Sequence, residues 1–253
     1  MNDKFNFAYA SDVLIFAVDS RKNDNPRLLP DKYLSILLVK KDDKWCLPGG
    51  FVNINETSKD AAIRVLKKET NVSDVYLEQL KTFDDVKRDD RGRIISTSYM
   101  ALIDKSKIKS SLSKDATWFD IDISRNNSNN EITLKNKNNT LNVIINKKII
   151  SKTTNKYDYE TKDNKYLMYD HDLIINEGLE ELINKVNNTD IVFNLMPKEF
   201  TIGELKQVYE LLLQKKLINA AFRRVIAAKV IETGKSVKRG GFRPSVLFKY
   251  KEK

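Results

Sequence analysis

The sequence predicts an α+β chain in two parts: a mixed α/β/α sandwich interrupted by an inserted β-hairpin region, then a small helix-turn-helix unit carrying a β wing. Three observations predict it. Short apolar runs rich in β-branched and aromatic residues occupy 12–18, 33–40, 76–83, 94–103 and 117–121, each bounded by turn-forming or charged stretches, as strands are. A single segment among them, 58–70, carries its apolar residues at helical spacing instead. Positive charge is gathered at one end: residues 197–253 hold 14 Lys and Arg against 5 Asp and Glu, a surplus of +9 out of +10 for the chain at pH 7. At 253 residues two cores can be buried, and the expected parts are 1–188 and 189–253.

Taken in order, strand, glycine turn and helix open the sandwich. Ala61, Ala62, Val65 and Leu66 form the apolar face of the helix at 58–70, with Thr57 or Ser58 as its N-cap and Asn71 near its C-terminal end. From 124 to 139 the composition turns to Asn, Ser and Lys before apolar alternation returns at 141–150. This reads as one or two hairpins with Asn-rich turns, a tolerated surface insertion over about 124–165. An amphipathic stretch follows at 173–186, opened by Asp170-His171-Asp172. His171, the only histidine, has no Ser or Cys partner at triad spacing, so a capping or packing role is expected. The single cysteine, Cys46, excludes an intramolecular disulfide and is expected to be a small buried hydrophobe. No leader pattern opens the chain, and the longest early apolar run, 13–18, is too short for a bilayer. The expectation is a cytoplasmic, soluble protein without membrane contact.

The stretch with the most chemistry is Trp45-Cys46-Leu47-Pro48-Gly49-Gly50 followed by Glu56, Arg64, Leu66, Glu69 and Val72. In spacing it resembles the Nudix box, Gly, five residues, Glu, seven residues, then Arg-Glu-apolar-x-Glu-Glu-x-Gly-apolar. The resemblance implies a Nudix-type sandwich. In active members the carboxylates at the positions of Val65, Lys68 and Glu69 share one helical face and hold divalent metals that polarise a diphosphate and activate water. Only Glu69 keeps its carboxylate, while Glu56 is expected to pair with Arg64 as scaffold. Magnesium needs as little as one or two carboxylates plus substrate phosphates, so the loss alone does not decide. Lys68 adds to it, because an ammonium about 4 Å from a divalent ion costs about 8 kcal/mol at an effective dielectric of about 20. No catalytic residue, metal site or cofactor is therefore assigned. Lys68 is either an exposed helix lysine or a cation facing a ligand phosphate. Arg88, Arg91 and Arg93, beside Asp89, are suited to a diphosphate or ribose, unless they form only a solvated turn.

In the basic block, Thr201-Ile202-Gly203-Glu204 is a capping box that starts a helix at Thr201 running to about Lys215, with Ile202, Leu205, Val208, Tyr209 and Leu212 buried. A short connection leads to Asn219 as a second N-cap and a helix from Ala220 to about Lys229. There Phe222, Val225 and Ile226 are expected to point inward, leaving Arg223, Arg224 and Ala227 outside. Two strands, near 230–234 and 245–250, flank a basic tip and complete a winged helix-turn-helix, whose second helix enters the major groove of double-stranded DNA. Arg223, Arg224 and Lys229 are the candidate helix contacts, and Lys238, Arg239 and Arg243 the wing contacts. If about six cations met phosphate, affinity would fall roughly a thousandfold between 50 and 200 mM salt.

With Leu47-Pro48-Gly49-Gly50, the altered box, Arg88-Asp89-Asp90-Arg91-Gly92, Asp170-His171, Phe222-Arg223-Arg224 and Gly240-Gly241-Phe242-Arg243-Pro244, the chain resembles the Nudix-related transcriptional regulator (NrtR) family. The resemblance covers nearly everything except 124–165. It implies a homodimeric repressor that binds palindromic DNA and releases it when its Nudix-like domain senses ADP-ribose or a related metabolite. Genes of NAD metabolism are common targets in that family, and related regulators answer to sugars such as arabinose. The candidate effector residues are Glu56, Arg64, Lys68, Glu69, Arg88, Asp89 and Arg91. Two alternatives stay open: a hydrolase of ADP-ribose or another nucleoside diphosphate derivative, and a general nucleic-acid-binding or interaction protein.

Overall fold

The structure, a computed structural model, describes residues 7–25, 28–108, 111–154, 156–238 and 243–252. Its spine is β1 (Ala8–Arg21), flanked by β2 (Asp31–Lys41) on one side and, in parallel, by β6 (Ile94–Ile103) on the other. A strand in this position is covered on both faces, so its sequence is a nearly unbroken apolar run. Val13 and Ile15 face α1 (Ser58–Thr70) together with Leu37, Tyr99 and Ala101. Leu14 and Phe16 face the opposite layer, in which α2 (His171–Asn188) lies. This is the expected α/β/α sandwich. Short strands β3 (Lys44–Cys46) and β4 (Gly49–Phe51) pair with β2 and β1 and lead into α1. Thr57 and Asp60 close a reciprocal capping box at the start of that helix, and Asn71, at φ 55°, ends it in the left-handed region.

The region expected as an inserted set of hairpins is built of them, but they join the central sheet instead of lying on the surface. β5 (Tyr76–Phe83) forms one edge of the sheet, and beyond β2 the order continues through β7 (Ala116–Arg125), β8 (Asn129–Lys135), β9 (Thr140–Ser151) and β10 (Lys156–Asn164). All these neighbours are antiparallel, so the insertion widens one sheet. The reason is in the alternation: Ile132, Leu134, Leu141, Val143 and Ile145 share one face and are buried in the core beneath α2. The Asn-rich turns are as expected, with Asn126 Oδ1 accepting from the N–H groups of Ser128 and Asn129, and Asn136 Oδ1 from those of Asn138 and Asn139.

After α2 a short 3₁₀ turn, Ile191–Leu195, leads to α3 (Ile202–Leu213), α4 (Asn219–Ile226) and the ribbon β11 (Val230–Val237) with β12 (Ser245–Tyr250). Thr201 and Glu204 form the predicted capping box. The second helix differs from expectation in three ways. It starts at Asn219 after an N-cap at Ile218 with no side-chain cap, it ends three residues before Lys229, and Val225 is 61% exposed. Only Phe222 and Ile226, four residues apart, reach the core, where Phe222 packs edge-on against Tyr209 at 5.3 Å. No helix of the described residues is long and apolar enough to cross a membrane.

Candidate ligand site and DNA-binding face

Three segments meet beneath the Gly49-Gly50 turn: β1 through Asp12, the loop 84–93 through Arg88, Asp89 and Arg91, and the entry to α2 through Tyr169, Asp170 and His171. With Phe51 and Cys46 they enclose a cavity of about 170 Å³. Arg88 is buried and gives Asp170 a bidentate pair, Nε to Oδ2 at 2.9 Å and NH2 to Oδ1 at 2.7 Å, with Asp12 Oδ2 3.5 Å from the same NH2. Burial opposes the charge of Arg88, but the Asp170 and Asp12 carboxylates outweigh it and its pKa is raised. Asp12 also accepts from Ser96 Oγ at 2.6 Å. A Cβ on Gly49 would lie 2.2 Å from Asp12 Oδ1, so the turn needs glycine there.

His171 is the first residue of α2 and is buried, so it packs as expected, and it is also wired into this cluster. Its Nδ1 accepts from the Leu47 N–H at 2.9 Å, which places the proton of the neutral ring on Nε2, 3.7 Å from Asp12 Oδ1. Burial holds its pKa below the ordinary value, against the pull of Asp12 and Asp170. Arg91 is half exposed at the mouth, bound by Asp89 through Nε and NH2 at 2.9 and 2.7 Å. Its guanidinium lies 4.8 Å from the Tyr169 ring and 5.6 Å from that of Phe51. Tyr169 holds φ at 55°, a conformation uncommon for a bulky side chain. Cys46 is buried, as expected, and burial pushes its thiol up to about 11.

Of the seven predicted effector residues, Arg88, Asp89 and Arg91 line this cavity and Glu56, Arg64, Lys68 and Glu69 do not. Arg64 binds both Glu56 oxygens and the Phe51 carbonyl, and that bond holds the Glu56 carboxyl below its usual range. Lys68 extends toward solvent, with its ammonium 3.1 Å from Glu69, whose other oxygen accepts from the Ser113 hydroxyl. Val65 is buried in the core under α1. The four predicted box residues lie outside the cavity, whose walls include Asp12, Phe51 and Tyr169, not among the predicted residues. A signal existed for Asp12: it is a lone carboxylate at the head of an apolar strand, a position that calls for a buried partner.

On the C-terminal unit, Arg223 and Arg224 stand exposed on α4, Lys238 and Arg243 are exposed beside the wing tip, and none of the four is ion-paired with a described residue. Arg239 lies outside the described residues. Lys229 is committed within the protein: its ammonium is 2.6 Å from Asp190, which also accepts from the Tyr250 hydroxyl at 3.1 Å. Phe200 and Phe248 exchange backbone hydrogen bonds at 2.8 and 2.9 Å, an isolated antiparallel bridge that pins the segment before α3 to the ribbon.

The NUDIX domain family matches residues 13–132, and the NrtR DNA-binding winged helix domain matches 192–250. A protein of Acinetobacter baylyi described as "ADPR responsive transcriptional repressor NtrR" is 28% identical over 249 residues, covering 94% of this chain and 80% of that protein. In fold the chain is similar to a MutT/nudix family protein from Enterococcus faecalis, with a TM-score of 0.71, 23% identity and coverage of 99% of this chain and 89% of that one. Shewanella oneidensis NrtR complexed with a 27mer DNA gives a TM-score of 0.67 at 23% identity, over 96% and 93% of the two chains.

Proposed function

We propose that the chain is a member of the NrtR family of Nudix-related transcriptional regulators, a repressor that holds palindromic DNA through α4 and the wing and releases it when ADP-ribose or a close relative binds around Arg88. The observation that carries the reading is the cavity itself. Two arginines and two carboxylates, Asp12 and Asp89, converge there beside two aromatic rings, a set that suits phosphate, ribose hydroxyls and a base. The assignment of ADP-ribose as effector and of repression as the role is supported by the Acinetobacter relative, an ADPR responsive transcriptional repressor. On this reading the protein acts in the cytoplasm as a homodimer, since isologous pairing matches a two-fold operator. Residues 1–188 form the sensing part and 189–253 the DNA-binding part.

We further propose that the sensing part binds without cleaving. A divalent metal needs free carboxylate oxygens, and the donors on and beside α1 do not fit one. Glu56 is engaged by Arg64, and Glu69 by Lys68 and Ser113. Bringing a divalent ion to Glu69 would first require Lys68 to leave. The deciding experiment titrates ADP-ribose, with magnesium present and product followed, into the protein bound to its own promoter DNA. Release without turnover is the expected result. Substantial turnover would return the hydrolase reading, and the absence of sequence-specific DNA binding would remove the regulator reading. Arg223→Ala combined with Arg224→Ala should weaken DNA binding at least about tenfold, since charge-assisted phosphate or base contacts contribute about 1–3 kcal/mol each. ADP-ribose affinity should stay near that of the wild type, and parallel loss of both would contradict a division into two parts.

A further inference from the structure

We propose that Asp170 occupies the place of the effector's phosphate on Arg88, so that a phosphate-bearing ligand binds by exchanging with this carboxylate. The inference rests on the sensor reading above and adds how the site is kept closed and what the ligand must displace. The Arg88 guanidinium is buried, and its Nε and NH2 edge is fully taken by the two oxygens of Asp170. A phosphate offers a guanidinium the same pair of oxygens at the same spacing. Asp12 already stands 3.5 Å from the same NH2, so a dianionic phosphate added to both carboxylates would place three anions around one cation in a buried site. Exchange avoids that accumulation, because one anion replaces another.

Space gives a second, independent argument. The 170 Å³ cavity is smaller than the roughly 300–1,000 Å³ that encloses a nucleotide-sized ligand. Adjoining it is a second cavity of about 510 Å³, bordered by Phe83, Lys87, Tyr159 and Leu173 and, besides Asp170, by five further carboxylates. Arg88 and Tyr169 line both cavities, and Asp170 lines the larger one. Joined, the two fall within the range that a nucleotide requires.

The local backbone is suited to letting Asp170 go. It is the N-cap residue of α2, yet its carboxylate makes no cap hydrogen bond, because Arg88 holds it. Once displaced it lies beside the N-terminal turn of the helix, where an anion is favoured. Tyr169, just before it, is held in the left-handed region, a conformation that persists only while its surroundings enforce it.

The test is calorimetric titration of inorganic pyrophosphate, and separately of ADP-ribose, into the full chain. The proteins compared are the wild type, Asp170→Asn, Asp170→Ser, Asp170→Glu and Asp170→Asn combined with Arg88→Gln, each checked for an intact melting transition. Asp170→Asn should bind pyrophosphate at least about tenfold more tightly than the wild type, because the charged competitor is gone. Asp170→Glu should remain close to the wild type, and the double variant should lose the gain. If Asp170→Asn fails to fold, Asp170→Ser, which keeps a capping hydroxyl, makes the same measurement. Equal pyrophosphate affinity with and without the carboxylate, or a gain that survives Arg88→Gln, overturns the exchange. Wild-type binding of ADP-ribose without a pyrophosphate gain in the variants would leave the sensor reading standing and remove only the exchange. A pyrophosphate gain without ADP-ribose binding would do the reverse.

Discussion

One ring nitrogen ties the walls of the candidate cavity together. His171 accepts from the Leu47 N–H through Nδ1, so protonating that nitrogen would break the bond that ties the Gly49-Gly50 turn to α2. Burial lowers its pKa from the ordinary 6.5, although Asp12 and Asp170 oppose the shift. The unfolded chain takes up its proton near the ordinary value and the folded chain only below it. The neutral ring therefore contributes stability above 6.5 that is lost as the pH falls through 6.5 toward the folded value. His171→Asn places an oxygen near the position of Nδ1 and does not titrate. Urea unfolding between about pH 7.5 and 5.5 should show a shallower loss of stability in this variant than in the wild type. Equal slopes would mean that the ring is protonated or exposed in the folded protein. Asp172, whose carboxyl is raised by burial, changes stability in the opposite direction, but it is common to both proteins and cancels in the comparison.

Among the elements, α2 packs closely on β1, and one glycine explains how. A Cβ on Gly178 would lie 1.9 Å from Leu14 Cδ2, and Leu14 is fully buried in β1 with no room to yield. Gly178→Ala gains about 1 kcal/mol of helix propensity, while overpacking a filled core costs about 1–3 kcal/mol. At so short a distance the overpacking should win, lowering stability by about 1 kcal/mol or more in chemical denaturation. A stabilised variant would show that α2 can lift from the sheet. The helices were largely legible beforehand, because capping boxes and apolar spacing at Thr57–Asp60 and Thr201–Glu204 are local signals. What is set by tertiary context was not. The 124–165 segment carries ordinary strand alternation, and nothing local says that β8 joins β7. On α4, Val225 is as apolar as Ile226, and only the docking angle leaves it outside. The candidate cavity was half legible for the same reason. The charged run of Arg88, Asp89 and Arg91 announces itself, whereas Asp12 and Tyr169 become site residues only when three separate segments converge.

Across the whole molecule one hydrophobic core runs without a break from Leu14 and Phe16 in the sheet, through Leu179 and Leu182 of α2, to Leu205, Val208, Phe222 and Ile226 of the C-terminal helices. Polar links reinforce it: Arg125 of β7 binds Glu180 of α2 and Gln214 at the end of α3, and Gln214 in turn donates to the Ile123 carbonyl. Two bodies on a linker would melt separately, but a shared core makes the transition cooperative. Calorimetry of the full chain should therefore show one transition, and the fragment ending at residue 188 should melt well below it, since it leaves this core open on one side. Two resolved transitions would refute the continuity. The same continuity bears on engineering. A winged helix with its own closed surface can be cut out and spliced onto any sensor, but here the hydrophobic core passes from one part into the other. A designer who wishes to graft this reader onto a different sensor must carry α2 and the end of β7 at Ile123 and Arg125 with it.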